Sequence, residues 1–397
     1  MLNKNYLEST NKCLKWIENN MLTYNNGYYG IYERIRIDKN MRTNWTRPDC
    51  NAELAKVLFL YKKTTKNNEY EKLYHNITGW LERVQDKDAF SAWYGSFPFY
   101  LYDGYVEDEK SGTIIYQNDN GKVLISLLDL YENTKDDKFL NMSIILADYW
   151  LAIQRNDGRF IRKDGKTNEF TKGSCFILWL ATGFLLLYDK TGDKKYEQGA
   201  IKALSYVTAN QLESGRFKTS YELEKCEDWR PVSSETVIGL YAYSIAYKIT
   251  GLEEYLKVIN MAGQYILQLQ HESGGIVNCS TKDKDASLQN NEELCDIVYT
   301  QGYALNALIE TYNSTGNRIY YESAIKLADF LIKIQCKNES PLWDGAWRGS
   351  FNVKTWEWDG RADQNNLIDE GGMYSVYTGW SCAPIMFGLL NLYCIEE

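Results

Sequence analysis

Two kinds of helical pattern alternate along the chain. In the first kind, as in "FILWLATGFLLLY" at 176 to 188, apolar residues occupy nearly every position, which is typical of a helix buried on all sides. In the second kind, as in "KKYEQGAIKALSYVTANQ" at 194 to 211, apolar residues recur every three or four positions and leave one polar face. No stretch of comparable length alternates with the two-residue period of a strand. The pattern therefore predicts an all-α fold of inner and outer helices.

The two kinds of helix form a repeated hairpin. Six apolar helices end in a Tyr, and in five of them a Thr or Thr-Gly turn follows: Tyr61, Tyr131, Tyr188, Tyr247, Tyr312 and, at the C-terminal end, Tyr393. The amphipathic helix after each turn ends in Gln or an equivalent residue, followed by Gly and an aromatic residue. With the N-terminal helix paired with the C-terminal one, six hairpins close into an (α/α)6 toroid, a single domain over residues 1–397. An open helical solenoid is the alternative.

One corner motif, A-W-x-G-S-F, occurs twice, in "SAWYGSF" at 91 to 97 and in "GAWRGSF" at 345 to 351. Both copies follow an outer helix, and both precede a long loop, at 98 to 118 and at 352 to 376. Loops that lead from outer to inner helices surround one mouth of such a toroid. The Gly and Ser residues suit a turn of the chain. We therefore expect Trp93 and Trp347 to line a cleft at this mouth.

Carboxylates occupy three equivalent positions at the predicted mouth. The residues 12 positions before each repeat Tyr are Asp49, Asp119, Phe176, Glu235, Thr300 and Ser381. Acids, Ser and Thr are also favoured at helix starts, so a purely structural role is the alternative for each residue. Three carboxylates that converge on one mouth can instead drive their pKa values apart, as acid/base catalysis requires. Asp119, Asp49 and Glu235 are therefore the predicted catalytic residues.

Aromatic residues are abundant, and most of them carry a polar group. The chain has 32 Tyr and 12 Trp against 13 Phe. Such rings suit a half-wet surface, and flat rings beside carboxylates suit a sugar. The mouth therefore indicates carbohydrate, an oligosaccharide being the predicted partner. The predicted contacts are Trp45, Trp93, Trp343, Asp344, Trp347, Trp356 and Trp358, with Arg348 for an acidic sugar.

Charge and residue counts exclude other classes of function. The net charge is -9 and no basic run is present, so nucleic acid is not an expected partner. The longest apolar run, at 175 to 188, is shorter than a membrane span, and no apolar leader is evident, so we expect a cytoplasmic protein without a membrane partner. Nine Cys without C-x-x-C and two His signal neither a disulfide framework nor a metal centre. No cofactor is predicted, and the oligomeric state stays open.

The segment "QNDNGKVLISLLDLYENTKDDKFLNMSIILADYWLAIQRNDGRF" at 117 to 160 resembles unsaturated glycuronyl hydrolases, which are six-hairpin enzymes. In that family an Asp-Asn pair opens an inner helix, so the resemblance implies that Asp119 is the general acid/base and that Asn120 accompanies it at the substrate. "RPDCNAELAKVLFLY" resembles the family's earlier helix with a second functional Asp, here Asp49. "TKGSCFILWLATGFLLLYDKTGD" resembles a T-R-G-Q-A-W element with Lys172 in place of Arg, and "PVSSETVIGLYAYSIAY" resembles a later helix of the family.

The resemblance implies a specific reaction. Asp119 would protonate the C4–C5 double bond of an unsaturated uronic acid and then activate water, which releases a hemiketal that opens spontaneously. The carboxylate of the substrate would need a cation, and the candidates are Lys172, Arg230, Arg348 and Arg361.

Three other functions stay open at this point. An ordinary glycosidase needs two carboxylates. Besides the three acids at the mouth (Asp49, Asp119 and Glu235), the further candidates are Asp103, Glu107, Asp344, Asp359 and Glu370. A lyase or uronic-acid epimerase would abstract the C5 proton with a Glu or a Tyr of the mouth, such as Tyr100, Tyr102, Tyr105 or Tyr377. In a non-catalytic sugar-binding toroid, the acids at the mouth would be helix caps.

Overall fold

Twelve long helices dominate the computed structural model, which describes residues 2–103, 115–160, 175–224, 231–283, 290–360 and 372–396. Odd-numbered helices are outer and even-numbered helices are inner: α1 (Leu2–Asn20), α2 (Pro48–Thr65), α3 (Glu71–Val84), α4 (Gln117–Thr134), α5 (Asp137–Ala152), α6 (Leu178–Thr191), α7 (Lys194–Thr208), α8 (Val232–Thr250), α9 (Glu253–Leu269), α10 (Gly302–Thr315), α11 (Arg318–Ile334) and α12 (Ala383–Glu396).

The inner helices form a closed ring. Each inner helix packs against the next one, and α12 packs against α2, so the first and last members meet. The N-terminal helix α1 packs against α12 and completes the sixth hairpin. The predicted all-α (α/α)6 toroid is therefore confirmed, and the open solenoid is wrong. The segment Thr378–Ile395 is long and apolar enough to cross a membrane, but 72% of it is buried, as expected for an inner helix of this ring.

The hairpin turns explain the repeated Tyr and Thr-Gly pattern. The inner helices α6, α8 and α10 each end at a Gly with a left-handed backbone, with φ of 69° at Gly192 and Gly251 and 70° at Gly316. The N–H of each Gly donates to the carbonyl of the repeat Tyr four positions earlier. Gly adopts this conformation without the steric cost of a Cβ, so the helix stops there.

The corners after the outer helices are joints between neighbouring hairpins. Gln85 Nε2 donates to the carbonyls of Gly95, in its own corner, and of Met142, on the next outer helix, both at 3.0 Å. The corner Gly has φ of 93° at both Gly95 and Gly345. A Cβ at Gly345 would lie 2.7 Å from the Lys12 carbonyl oxygen, on the outer helix that follows around the ring. The Gln and Gly of the repeat thus hold adjacent outer helices together.

Short strands lie in the loops at the mouth. They are β1 (Arg34–Arg36), β2 (Met41–Arg42), β3 (Trp45–Thr46), β4 (Leu101–Tyr102), β5 (Leu294–Asp296), β6 (Ser350–Asn352), β7 (Glu357–Trp358) and β8 (Ser375–Tyr377). They pair antiparallel in the orders β2-β1-β8, β3-β4 and β5-β6-β7. The β1–β8 pair joins the first mouth loop to the last, which closes the mouth as the inner helices close the ring.

Several inner helices begin with irregular turns. A 3₁₀ turn at Cys175–Ile177 precedes α6, and π-helical segments at Ile297–Gln301 and Thr378–Cys382 precede α10 and α12. Two further short helical turns lie in mouth loops, at Tyr24–Gly27 and Ser220–Glu224.

Candidate active site

Two of the predicted acids meet at the centre of the mouth. Asp49 is the second residue of α2 and Asp119 the third residue of α4, positions where the helix dipole favours a carboxylate. Their relative exposures are 0% and 3%. One guanidinium nitrogen, Nη2 of Arg47, lies 2.8 Å from Asp119 Oδ2 and 3.2 Å from Asp49 Oδ2. The two carboxylates therefore both contact one NH2 group of the Arg47 guanidinium.

Arg47 is fixed by further contacts in the loop before α2. Its Nη1 donates to Glu33 Oε1 at 2.8 Å. Its guanidinium carbon lies 4.4 Å from the centre of the Phe99 ring and 5.5 Å from that of Trp380. Arg47 is thus a buried cation between aromatic rings, an arrangement that suits its planar and weakly hydrated group.

Lys122 extends the network one turn further along α4. Its Nζ lies 3.1 Å from Asp49 Oδ2 and 3.1 Å from Glu53 Oε2. It also lies 3.3 Å from the centre of the Trp380 ring. Glu53 accepts a hydrogen bond from the Tyr303 hydroxyl at 3.1 Å. Helices α2, α4, α10 and the segment before α12 thus all contribute to one buried polar cluster.

The acids of this cluster have different pKa values. Burial raises the pKa of Asp119 to about 7; Arg47 and Lys122 oppose this rise, whereas Asp49 adds to it. Asp49 is equally buried, but Arg47 and Lys122 outweigh the burial and hold its pKa below the usual range. Burial also raises the pKa of Glu53. Asp119 can therefore exchange a proton near neutral pH beside a carboxylate that stays ionised.

An aromatic wall runs outward from the cluster. Phe99, which covers Arg47, contacts Tyr100 with ring centres 5.4 Å apart. Tyr100 stacks on Trp45 at 5.2 Å, and Tyr102 meets the edge of Trp45 at 6.5 Å. The predicted contact residue Trp45 is thus half-buried in a wall that begins at the site.

Glu235 has a structural position in the first turn of α8. Its Oε2 accepts from the Cys175 N–H at 3.1 Å and its Oε1 from the Ser220 N–H at 3.2 Å. Both oxygens thus hold the backbone of neighbouring loops. The described contacts of Glu235 are therefore with these loops, and its role as a catalytic acid stays a prediction.

Asn120 also holds backbone. Its side chain accepts from the Phe97 N–H at 2.8 Å and donates to the carbonyls of Phe97 and Tyr116, each at 3.0 Å. The expected contact of Asn120 with substrate is therefore corrected, because its amide fixes the corner before α4.

Trp347 corrects the interpretation of the corner motif. Its relative exposure is 0%, and its indole N–H donates to the Leu331 carbonyl of α11 at 2.7 Å. It is a core residue of the outer ring and lines no cleft. The two copies of the motif are also not equivalent in the structure: Gln85 binds the Gly95 carbonyl as Gln335 binds that of Gly345, so Trp93 corresponds to Trp343. Trp93 is half-buried and lines a surface groove with Arg83 and Asp86, beside α3.

Glu339, in the loop after α11, contacts three of the other residues that were predicted to bind substrate. Its carboxylate accepts from the indole N–H groups of Trp343 and Trp358, both at 3.1 Å, and lies 3.3 Å from Arg348 Nη1. Arg348 Nε donates to the Met373 carbonyl at 2.8 Å. Arg348 thus already has an acidic partner, and its role as the cation for an acidic sugar stays a prediction.

The remaining predicted residues have separate local positions. Asp344 is exposed and accepts from the Asn338 N–H at 2.6 Å. Trp356, 46% exposed, packs on Phe351 at the tip of the β6–β7 hairpin. Among the further candidates, Asp103 accepts from the Tyr32 hydroxyl, Asp359 accepts from the Asn352 amide, and the Tyr377 hydroxyl accepts from Arg34. Outside the described residues lie Lys172, Arg230, Glu107, Glu370, Tyr105 and Arg361.

Sequence reasoning missed most partners of the two aspartates. Arg47 directly precedes the Pro-Asp pair, Glu53 follows Asp49 by four positions, and Lys122 follows Asp119 by three. Spacings of three and four place side chains on one helix face. Glu53 and Lys122 each lie one turn after a mouth acid in a helix that is otherwise largely apolar. Such a charged residue could have indicated this cluster. Trp380 and Tyr303 had no such signal, since aromatic residues are common in all the inner helices.

Comparisons with known proteins agree with this architecture. No family model matches the chain. A cellobiose 2-epimerase of Bacteroides fragilis is 29% identical over 125 residues, which are 31% of this chain and 29% of that protein. The chain therefore matches less than a third of the length of this curated relative.

Solved structures match over the whole chain. A sugar epimerase from a ruminal bacterium has a TM-score of 0.72 at 11% identity, with 100% of both chains covered. An unsaturated glucuronyl hydrolase specific for heparin has a TM-score of 0.67 at 11% identity, with 100% of this chain and 97% of that chain covered. The fold is thus shared with both hydrolases and epimerases of sugars.

Proposed function

We propose that the chain is a glycoside hydrolase acting on short oligosaccharides, in which Asp119 is the general acid/base. The observation that carries the proposal is the buried pair of Asp119 and Asp49 around Arg47 Nη2. A carboxyl group with a pKa of about 7 can donate a proton and take it back near neutral pH. The ionised neighbour stabilises positive charge that develops on a sugar ring.

The arrangement favours a mechanism with one titrating acid. Asp49 has no exposed surface, and its Oδ2 already contacts both Arg47 and Lys122. Those contacts hold Asp49 as a fixed charge and oppose its attack on a sugar carbon. A retaining or inverting glycosidase needs a second carboxylate that is free to react with the sugar or with water.

Unsaturated uronic-acid disaccharides fit one titrating acid. Asp119 donates its proton to C4 of the C4–C5 double bond, and positive charge develops at C5 and the ring oxygen. Water then adds at C5 and returns a proton to the Asp119 carboxylate. The resulting hemiketal opens and releases the second sugar, so atoms and charge balance without a cofactor.

The test is the ultraviolet absorbance of the conjugated double bond. We expect the wild type to remove the absorbance of unsaturated uronic disaccharides, and Asp119→Asn to abolish this activity. Asp137→Asn is the matched control, since Asp137 is exposed in the first turn of the outer helix α5. Full activity in Asp119→Asn, or no absorbance change in the wild type with any such disaccharide, would contradict the proposal.

Epimerisation is the second candidate, favoured by the similarity to a cellobiose 2-epimerase. Inversion at C2 requires removal of a proton next to a carbonyl and its return on the other face. The two His of the chain are placed elsewhere, His75 on the outer helix α3 and His271 in the corner after α9. Asp119 would then exchange the proton. Incubation with cellobiose in D2O distinguishes the two: an epimerase incorporates deuterium at C2 and forms a mannose-containing epimer, and a hydrolase does neither.

A further inference from the structure

Two buried N–H groups beside Asp119 have no hydrogen-bond partner among the described residues. They are Nε of Arg47 and Nε1 of Trp380. The two side chains are 7% and 5% exposed. Burying a donor without a partner costs about 1–3 kcal/mol of folding free energy, and more when the donor is charged. Two such donors at the mouth of the toroid therefore favour binding of a ligand that accepts hydrogen bonds.

The other groups of both side chains are already occupied. The Nη atoms of Arg47 contact Glu33, Asp49 and Asp119. The face of Trp380 carries Lys122 at 3.3 Å. Nε is thus the one nitrogen of Arg47 without a partner among the described residues, and the Arg47 guanidinium carbon is 5.5 Å from the Trp380 ring centre. The two free donors thus belong to neighbouring side chains, one of which contacts both aspartates.

The surrounding charge favours an anion. The buried cluster has three cations, Arg34, Arg47 and Lys122, and four carboxyl groups, Glu33, Asp49, Glu53 and Asp119. Burial raises the pKa of both Asp119 and Glu53. When these two carry protons, the cations outnumber the carboxylates by one. With Asp119 alone protonated, three cations and three carboxylates balance, so the cluster then no longer repels an anion, and a proton on Glu53 would make it attractive.

We infer that Arg47 Nε and Trp380 Nε1 bind the carboxylate of an acidic sugar, which makes these two residues determinants of substrate specificity. The inference rests on the proposed function, because it assigns an anionic substrate to the same site. A carboxylate offers two oxygens to two donors, and a bond to a charged donor is stronger than a neutral one. In a uronic acid the carboxylate is attached to C5, so this contact places the C4–C5 bond beside Asp119.

Trp380→Phe tests the donor without removing the ring. Phe keeps an aromatic face for Lys122 but has no N–H. Trp179→Phe is the matched control, because the Trp179 indole N–H is also buried without a partner among the described residues and the ring also contacts Tyr303. The probes are methyl glucuronide and methyl glucoside, which differ by the carboxylate, with dissociation constants measured by calorimetry.

We expect Trp380→Phe to weaken binding of methyl glucuronide roughly tenfold and to leave methyl glucoside unchanged, as expected for one lost bond to an anion. Trp179→Phe should bind both sugars like the wild type. Arg47→Lys, checked for folding by its thermal melt, keeps the charge but loses the guanidinium N–H and should weaken the glucuronide as well. Equal affinity of the wild type and Trp380→Phe for the glucuronide would overturn the inference, as would a wild type that binds no glucuronide.

Turnover separates this inference from the proposed function. If the wild type binds the glucuronide through Trp380 but leaves unsaturated disaccharides intact, the hydrolase proposal fails and the anion site stands. If the wild type hydrolyses these disaccharides and Trp380→Phe does so with an unchanged KM, the hydrolase stands and the anion site fails.

Discussion

Asp119 and Asp49 begin neighbouring inner helices and lie 2.8 Å and 3.2 Å from the same nitrogen of Arg47. Their environments nevertheless differ, because Asp49 has a second cation in Lys122 at 3.1 Å. The second cation keeps Asp49 ionised, and the charge of Asp49 adds to the burial that raises the pKa of Asp119 to about 7. One shared guanidinium thus contacts both a carboxyl group with a pKa near neutral and a carboxylate that stays ionised.

The first prediction concerns the pH dependence of turnover. Asp119 must be protonated to act as an acid, and its pKa is about 7. We therefore expect kcat/KM to fall about tenfold per pH unit on the alkaline side of this value. Arg47, Asp49, Lys122 and Glu33 face Asp119 and set this value. A pH profile on an unsaturated disaccharide measures the alkaline limb; a rate that stays constant from pH 6 to about pH 9 would contradict the assignment.

The second prediction concerns stability and pH. Between the unfolded pKa of Asp, 3.8, and the native value of about 7, the native protein holds a proton on Asp119 that the unfolded chain has lost. Asp119 therefore makes the free energy of unfolding decrease as pH rises through this window. Asp119→Asn removes the titrating group, so its free energy of unfolding should depend less on pH than that of the wild type. Relative to the wild type, the variant should be more stable at about pH 8 than at about pH 4 by a few kcal/mol or so.

Urea unfolding of the wild type and Asp119→Asn at several pH values measures this difference. Asp137→Asn, at an exposed outer position, should follow the wild type. Parallel curves for the wild type and Asp119→Asn would show that Asp119 is already ionised near its ordinary pKa.

The third prediction concerns Lys122. Its removal leaves the carboxylates of Asp49 and Glu53 buried without their shared cation. Breaking a buried ion pair from one side costs about 3–5 kcal/mol, so we expect Lys122→Met to lower the free energy of unfolding by that amount. Lys190→Met is the control: Lys190 pairs with Glu132 at 2.8 Å on the surface, and its loss should cost less than about 1 kcal/mol. Chemical denaturation of both variants measures the two costs.

The fold could be predicted from the sequence because its signals are local and repeated. Tyr188 and Gly192 mark a helix end by backbone chemistry alone, and the same pair recurs at Tyr247 and Gly251. Six such hairpins leave few arrangements that bury every apolar helix. The number of inner helices and the pairing of α1 with α12 followed from counting the repeats.

The site could be predicted in part, because its contacts join distant segments. The helix starts located Asp49 and Asp119, but the same argument selected Glu235, whose oxygens bind the N–H groups of Cys175 and Ser220. A first-turn acid is equally suited to both roles, and the loops that face it decide between them. The prediction that Trp347 lines a cleft was wrong for a related reason. A Trp in a polar corner can also turn inward and donate to a helix carbonyl, as Trp347 does to Leu331.

The last prediction tests the architectural role of the Gly whose carbonyl the corner Gln binds, which is Gly345 in the sixth corner. Gly345 has a positive φ of 93°, and a Cβ there would lie 2.7 Å from the carbonyl oxygen of Lys12. Gly251 also has a positive φ, 69°, but a Cβ there would meet nothing within 4 Å. Gly345→Ala therefore has both backbone strain and a clash between the corner and the outer helix α1, whereas Gly251→Ala has the strain alone.

We expect Gly251→Ala to lower the free energy of unfolding by about 1–2 kcal/mol, the cost of a left-handed backbone with a Cβ. Gly345→Ala should lower it by a further 1–3 kcal/mol or so, because the overpacked backbone must shift. Thermal or urea unfolding of the two variants measures the difference, and kcat of the folded fraction should stay near the wild-type value in both. Equal stabilities of the two variants would show that the corner Gly serves the turn and not the joint between hairpins.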